Sequence, residues 1–187
     1  MATTQLARKL LAKHGKVISQ PATDWTGSFP LPRPLEKFYR EVGPYDITIE
    51  TTGNPFFLPR LAALWNYQAG YRWNGFSRKP CPDWNDDWLM VAHEFEGVFI
   101  LSRKSGHILH DLHGGGAWKP YPLFPNLNTM AACLAELGNI VHSAGEDFME
   151  PDCSIRRKYV ALAKSRLRKL LGSMKATQFV LEKLSWA

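Results

Sequence analysis

WLMVAHEFEGVFILSRKSGHILHDLHG, residues 88–114, decides the architecture. It holds three apolar runs, 88–93, 97–102 and 107–112, and each break carries a glycine or a charged turn. Short runs rich in Val, Ile, Leu and Phe are strand-length, and breaks this short join antiparallel neighbours. The spacing predicts a three-stranded antiparallel meander.

The third run opens HILHDLHGGGAWKP, residues 107–120, whose three histidines suggest a metal. On a strand successive side chains alternate faces, so His107 and His113 share a side and His110 takes the other. Zinc needs at least three converging protein ligands, so no metal site is predicted. Gly114, Gly115 and Gly116 do not read as a phosphate loop either. Such a loop runs into a helix, and the prolines of AWKPYPLFP forbid one here. The glycines read as the exit from the meander.

Outward from the meander the period changes. YDITIETTG, 45–53, alternates, with Tyr45, Ile47 and Ile49 on one side, and predicts an earlier, half-buried strand. PLEKFYREVGP, 34–44, repeats Leu35, Phe38, Tyr39 and Val42 at helical spacing and stops at Gly43-Pro44. LPRLAALWNYQAGY, 58–71, predicts a helix with Leu61, Leu64 and Trp65 as its buried stripe and Gly70 past its end. Residues 71–87 have no period and read as a surface loop. Residues 127–141 predict a helix with Asn128 as N-cap and Met130, Leu134, Leu137 and Val141 inward. The first fifteen residues predict a helix with Leu6 and Leu10 on one side, and 155–172 predicts another, followed by a last one near 179–184. Residues 20–34 hold four prolines and read as a lead-in.

The fold class is therefore α+β: a twisted antiparallel sheet, the meander plus at least one earlier strand, flanked by helices, with a basic C-terminal helical segment. Three stretches follow: 1–30, an N-terminal helix and Pro-rich lead-in; 31–150, the central domain; and 151–187, a helical extension.

The chain has 187 residues, 45% hydrophobic, with seven Trp and ten Phe. That is ample material for a core and argues against disorder. No apolar run reaches the roughly 18 residues of a membrane span, and the N-terminal apolar run is short for a secretory signal. Cys81, Cys133 and Cys153 are odd in number and form no CxxC, which predicts reduced thiols and a cytoplasmic setting. The net charge is +6, unevenly placed. Residues 151–187 hold nine basic and two acidic residues, whereas 31–150 holds ten basic and fourteen acidic. The ends are basic and the middle is acidic, which bears on partners.

WNDDW, 84–88, follows Asp83 and puts three carboxylates in five residues. It can be a solvated turn, an acid–base or cation-holding pair, or an acidic aromatic binding surface. No Ser-His-Asp order is present, Cys133 is expected to be buried, and nothing specific points to catalysis or a cofactor. Lys164, Arg166, Arg168 and Lys169 could contact an anion or nucleic acid, although the segment lacks interleaved aromatics and a charge run is usually a solvated helix face.

Taken in order, PLEKFYREVGP, the strand after it, Leu58-Pro59 before a helix, WLMVA at 88–92, GVFILS at 97–102, SGHIL at 105–109 and the late helix NLNTMAACLAEL resemble the SUKH superfamily. This is the family of bacterial immunity proteins that also includes a yeast cell-wall synthesis regulator. The resemblance covers residues 31–142. It implies a non-catalytic immunity-type protein of bacterial competition that binds and neutralises a cognate toxin domain, possibly a nuclease, encoded by an adjacent gene. An acidic middle would attract a basic partner. The expected contact residues are Glu50, Trp73, Asp83, Trp84, Asp86, Asp87, Glu94 and Glu96, the aromatics as anchors and the carboxylates as steering charges. The alternatives are a regulatory or scaffold protein of the same fold, a nucleic-acid contact through the basic C-terminus, and a metal-assisted enzyme using the 83–87 carboxylates.

Overall fold

The computed structural model describes residues 2–51, 53–95, 97–112 and 117–186. Six antiparallel strands follow one another in a single open sheet: β1 (Ile47–Ile49), β2 (Phe56–Leu58), β3 (Trp88–His93), β4 (Gly97–Ser102), β5 (Ile108–Leu112) and β6 (Tyr121–Phe124). Helices pack against it, and the α+β class stands. The meander falls where its apolar runs do.

β4 is buried along its whole length, so its run is apolar on both faces rather than alternating. One face, with Leu89, Val91, Phe99, Leu101 and Ile108, meets the helices. Met90, Val98, Ile100 and Leu109 meet a second, aromatic layer.

Two strands escaped the sequence reading. β2 is three residues between Pro55 and Pro59. β6 carries Pro122 in its interior, which only an edge strand tolerates, because the missing N–H faces away from the ladder. β2 is also too short to cover β3, and it pairs with it only through Phe57 and His93. Gln68 fills the gap: its buried side chain donates to Met90 O at 2.9 Å and accepts from Met90 N at 3.0 Å, as a neighbouring strand would. This also explains why the helix predicted over 58–71 is one turn, α3 (Leu61–Leu64), followed by a 3-10 turn at Asn66–Gln68. The chain tightens to bring Gln68 to β3, and Trp65 stays half-buried.

α1 (Thr4–Leu11) buries Ala7, Leu10 and Leu11, while Leu6 remains 37% exposed, so the apolar stripe is rotated from the expected Leu6–Leu10 face. α2 (Arg33–Glu41) buries Leu35, Phe38 and Tyr39, and Val42 closes it. α4 (Leu127–Ala144) is the central post, buried on all sides from Thr129 to Ile140. Its N-cap is Asn126, which accepts from Thr129 N at 2.9 Å; the expected cap, Asn128, instead donates to Thr4 Oγ1 at 3.0 Å. α5 (Arg157–Leu171) ends at a left-handed Gly172, and α6 (Met174–Lys183) starts from a Ser173 cap. Ala163, Leu167, Leu170, Val180, Leu181 and Trp186 join the same core as α1, α2 and α4. The basic C-terminal segment is thus a packed layer around α4.

Two histidines make this packing pH-dependent. His14 donates from Nε2 to Ala135 O at 2.8 Å, tying the end of α1 to α4. His93 packs at a tilt against Phe57 and Tyr67, which also touch each other. Burial holds both below the ordinary histidine range. The folded state therefore prefers them neutral, whereas the unfolded chain takes up protons near pH 6.5. Their contribution is complete above about pH 6.5 and is lost as the pH falls below it. The urea midpoint should decline from pH 7.5 to 5.5. His14→Gln, which keeps the donor, should flatten that decline; an unchanged slope would remove His14 as a cause.

Candidate functional site

The segment after α3 crosses the sheet face away from the helices. It is ordered by its own hydrogen bonds: Cys81 N donates to Arg72 O at 3.0 Å, and Asn74 Oδ1 accepts from Phe76 N at 3.0 Å and Ser77 N at 2.8 Å. The surface loop expected over 71–87 is therefore a built structure. At its tip Phe76 stands 101% exposed.

Six of the seven tryptophans gather around this segment in two groups. Trp84, Trp88, Trp118 and Tyr71 cover Met90, Val98 and Ile100, with Trp84 5.2 Å from Trp118 and 5.5 Å from Trp88. Trp25, Phe29, Trp65 and Trp73 form the second group, with Trp25–Trp65 at 5.5 Å and Trp65–Trp73 at 5.0 Å. Only Trp186 lies elsewhere, against Phe148.

Two guanidiniums clamp the chain between these groups. Arg72 donates to Asp86 Oδ1 at 3.0 Å, to Asp86 O at 2.7 Å and to Trp88 O at 2.7 Å. Arg103 donates to Asp86 O and to Asp87 O, and its guanidinium lies 4.2 Å from the centre of the Phe29 ring. Burial pulls Arg72 below the usual arginine range, and Asp86 opposes that pull. Asp87 turns inward, accepting from Ser102 Oγ at 2.6 Å and from Lys104 N at 2.8 Å.

Between the aromatic groups lies a cavity of about 390 Å³, walled by Trp65, Trp73 and Trp84, with Arg72, Arg78, Asp86 and Cys81 among its lining. Arg72 Nε and Trp73 Nε1 are buried and have no hydrogen-bond partner among the described residues. Buried N–H groups normally find an acceptor, and these two are closed off from the cavity's solvent as well.

The expected contact residues do not converge. Trp73, Trp84 and Asp86 line this cavity, and Asp83 is exposed nearby. Trp84, expected as a surface anchor, is only 6% exposed because it roofs the second core. Glu94 lies just past the opposite end of β3, roughly 20 Å from Trp88 at about 3.4 Å per residue. It faces inward, with Oε1 3.2 Å from Nε2 of the buried His110, whose Nδ1 is 2.8 Å from the Tyr121 hydroxyl. Burial, then Asp111 and Glu94, push the Tyr121 hydroxyl up to about 12, so it stays protonated. Gly97 makes room for this pair: a Cβ there would stand 2.4 Å from Glu94 Oε1 and 2.6 Å from His110 Nε2. Glu50 is exposed just past β1. Glu96 lies outside the described residues, as do His113 and Gly114–Gly116.

Asp87 and Glu94 are thus engaged within the chain, which weakens the steering expected of an acidic middle, whereas Asp86 is paired with Arg72 yet keeps its side chain 97% exposed. Of the basic C-terminal residues, Arg166 pairs with Glu136, Lys164 is half-buried, and Arg168 and Lys169 are exposed on α5. Lys164, Arg168 and Lys169 border a shallow depression beside Met174. Among the described residues no group of three or more His, Cys, Asp or Glu side chains could hold a metal ion. Cys133 is fully buried and its thiol is pushed up by that burial, which leaves it a poor nucleophile.

Sequence reasoning missed Arg72, Arg78, Trp65 and the Trp25–Phe29 pair. For Arg72, Arg78 and Trp65 the signal is the concentration of Trp and Arg in 65–88, divided between a helix stripe and a loop. Trp25 and Phe29 lie in the proline-rich lead-in, where no local pattern marks them.

The scan against protein-family models finds no match, and neither the curated proteins nor the solved structures compared with this chain yield one. Among the described residues no helix is long and apolar enough to cross a membrane.

Proposed function

We propose that this chain is a non-catalytic immunity-type protein that neutralises a cognate toxin domain in the cytoplasm by stoichiometric binding, with the indole-walled cavity and the Phe76 turn as its contact surface. The toxin as partner rests on the SUKH-like order of elements. The observation that carries the choice of surface is Phe76, 101% exposed on a hydrogen-bonded turn in the same segment as Trp73 and Arg78. An apolar ring on a hydrogen-bonded turn needs little further backbone ordering when it binds, and Trp, Tyr and Arg beside such an anchor are the residues that dominate interface energies.

The test is co-purification with the toxin domain encoded beside this gene, by size exclusion, with growth rescue in parallel. A one-to-one complex and restored growth are expected, and Phe76→Ala should weaken the complex about tenfold or more. No complex and no rescue would move the assignment to a scaffold of the same fold.

A further inference from the structure

The cavity beside Phe76 has a chemistry of its own, opposite in sign to what the acidic middle of the sequence suggested. Its three indole walls would suit a cation, since aromatic faces attract ammonium groups. Two arginines line the same cavity and repel one. The carboxylate in the lining, Asp86, is paired with Arg72 at 3.0 Å and its side chain is otherwise 97% exposed, where water screens it.

What remains uncommitted in the lining is a donor. Arg78 is exposed and its guanidinium forms no ion pair among the described residues. Trp73 Nε1 and Arg72 Nε also lack an acceptor, but both atoms are closed off from solvent and an occupant does not reach them. A guanidinium can donate and cannot accept, so an occupant that brings acceptors suits Arg78. Arg78 adds an unbalanced positive charge, and a carboxylate answers it with short, charge-assisted hydrogen bonds. The indoles answer a different part of the occupant, an apolar stem or ring. The volume, about 390 Å³, suits a side chain and not a folded segment.

We infer that this cavity accepts a carboxylate carried on an apolar stem, supplied by an acidic side chain of the bound partner, with Arg78 as its principal donor and the Trp73 ring beside the stem. The inference deepens the proposed binding role and rests on it only for the source of the carboxylate. It means that the partner meets this surface with an Asp or Glu and not with a Lys or Arg.

The test uses the full chain labelled with nitrogen-15. Phenylacetate, phenylacetamide and phenethylammonium are titrated while the indole N–H signals are followed, with Trp73 assigned by Trp73→Phe. Phenylacetate should shift the Trp73 signal saturably. The amide should bind at least fivefold more weakly, and the amine should leave the signal unmoved. Arg78→Gln, at an exposed position, should weaken phenylacetate about tenfold without disturbing the fold. Saturating phenylacetate should then compete with the toxin domain.

Amide or amine binding as tight as phenylacetate would overturn the inference, and so would the absence of a saturable shift at Trp73. A complex with the toxin domain that ignores both Arg78→Gln and phenylacetate would sink the cavity as a contact while leaving the binding role standing. Carboxylate-selective binding with no toxin complex would overturn the partner as source and show a small-carboxylate site instead.

Discussion

Replacing Phe99 by alanine is expected to lower the unfolding free energy by about 3–5 kcal/mol, the range for truncating a buried aromatic. Phe99 is 0% exposed and sits mid-way along β4, one of the two central strands. Its ring lies 6.0 Å from Phe56, 6.3 Å from Phe124 and 4.9 Å from His110. It therefore bridges β2, β5 and β6 on the helix-facing side. The loss has a second part. His110 is held between Tyr121 and Glu94, and the Phe99 ring covers it. Water admitted beside that imidazole competes for both hydrogen bonds. Urea unfolding checks the value, with the denaturant slope unchanged. Phe99→Leu, which keeps most of the volume, should cost less than about 2 kcal/mol. A loss under about 1 kcal/mol for the alanine variant would mean that the sheet and helices do not close on this ring.

Gly43→Ala is the other large effect, expected at about 3 kcal/mol or more. Gly43 has φ +67°, which L side chains adopt at a cost of about 1–2 kcal/mol. A Cβ there would also stand 1.8 Å from Ile18 O and 2.6 Å from Ile18 C, both backbone atoms. That backbone cannot swing away. Ile18 N donates to Gly43 O at 2.8 Å, Gln20 N to Tyr39 O at 3.2 Å and Tyr45 N to Lys16 O at 3.0 Å. The segment after α1 is laced to the end of α2 on both sides of the clash. Overpacking against a fixed wall typically adds a further 1–3 kcal/mol. Gly70 supplies the control: its φ is +88°, but nothing lies within 4 Å of a Cβ there. Gly70→Ala should show the conformational cost alone, about 1–2 kcal/mol. Thermal or urea unfolding of the two variants separates close approach from dihedral strain, and equal losses would show that the 16–20 segment yields.

The site was less legible than the fold for a reason visible in its bonds. Asp86 looked like a free carboxylate until Arg72, fourteen positions earlier, was found on it. Glu94 meets His110 sixteen residues on, and Arg166 meets Glu136 thirty residues back. Charge counted along the chain treats each of these as available. Trp84 looked like an anchor because it stands among aspartates, yet the sheet beneath it needed a cover.

The sequence by itself determined what depends on near neighbours. The apolar runs at 88–93, 97–102 and 107–112 are strands, and the 3.6-residue spacing in 34–42 and 127–141 gives helices, because periodicity is a local property that burial acts on directly. Tertiary structure decided what depends on residues far apart. Short strands carrying prolines, β2 and β6, exist only because a neighbour offers a ladder to join. The N- and C-terminal helices belong to the core only because α4 presents apolar surface on every side. The donor-rich cavity exists because two aromatic groups, one drawn from residues 25–73 and one from residues 71–118, close around the same arginines. Packing and charge pairing are set by distance in space, and a chain that reverses at every strand of its sheet makes that distance unreadable from residue number.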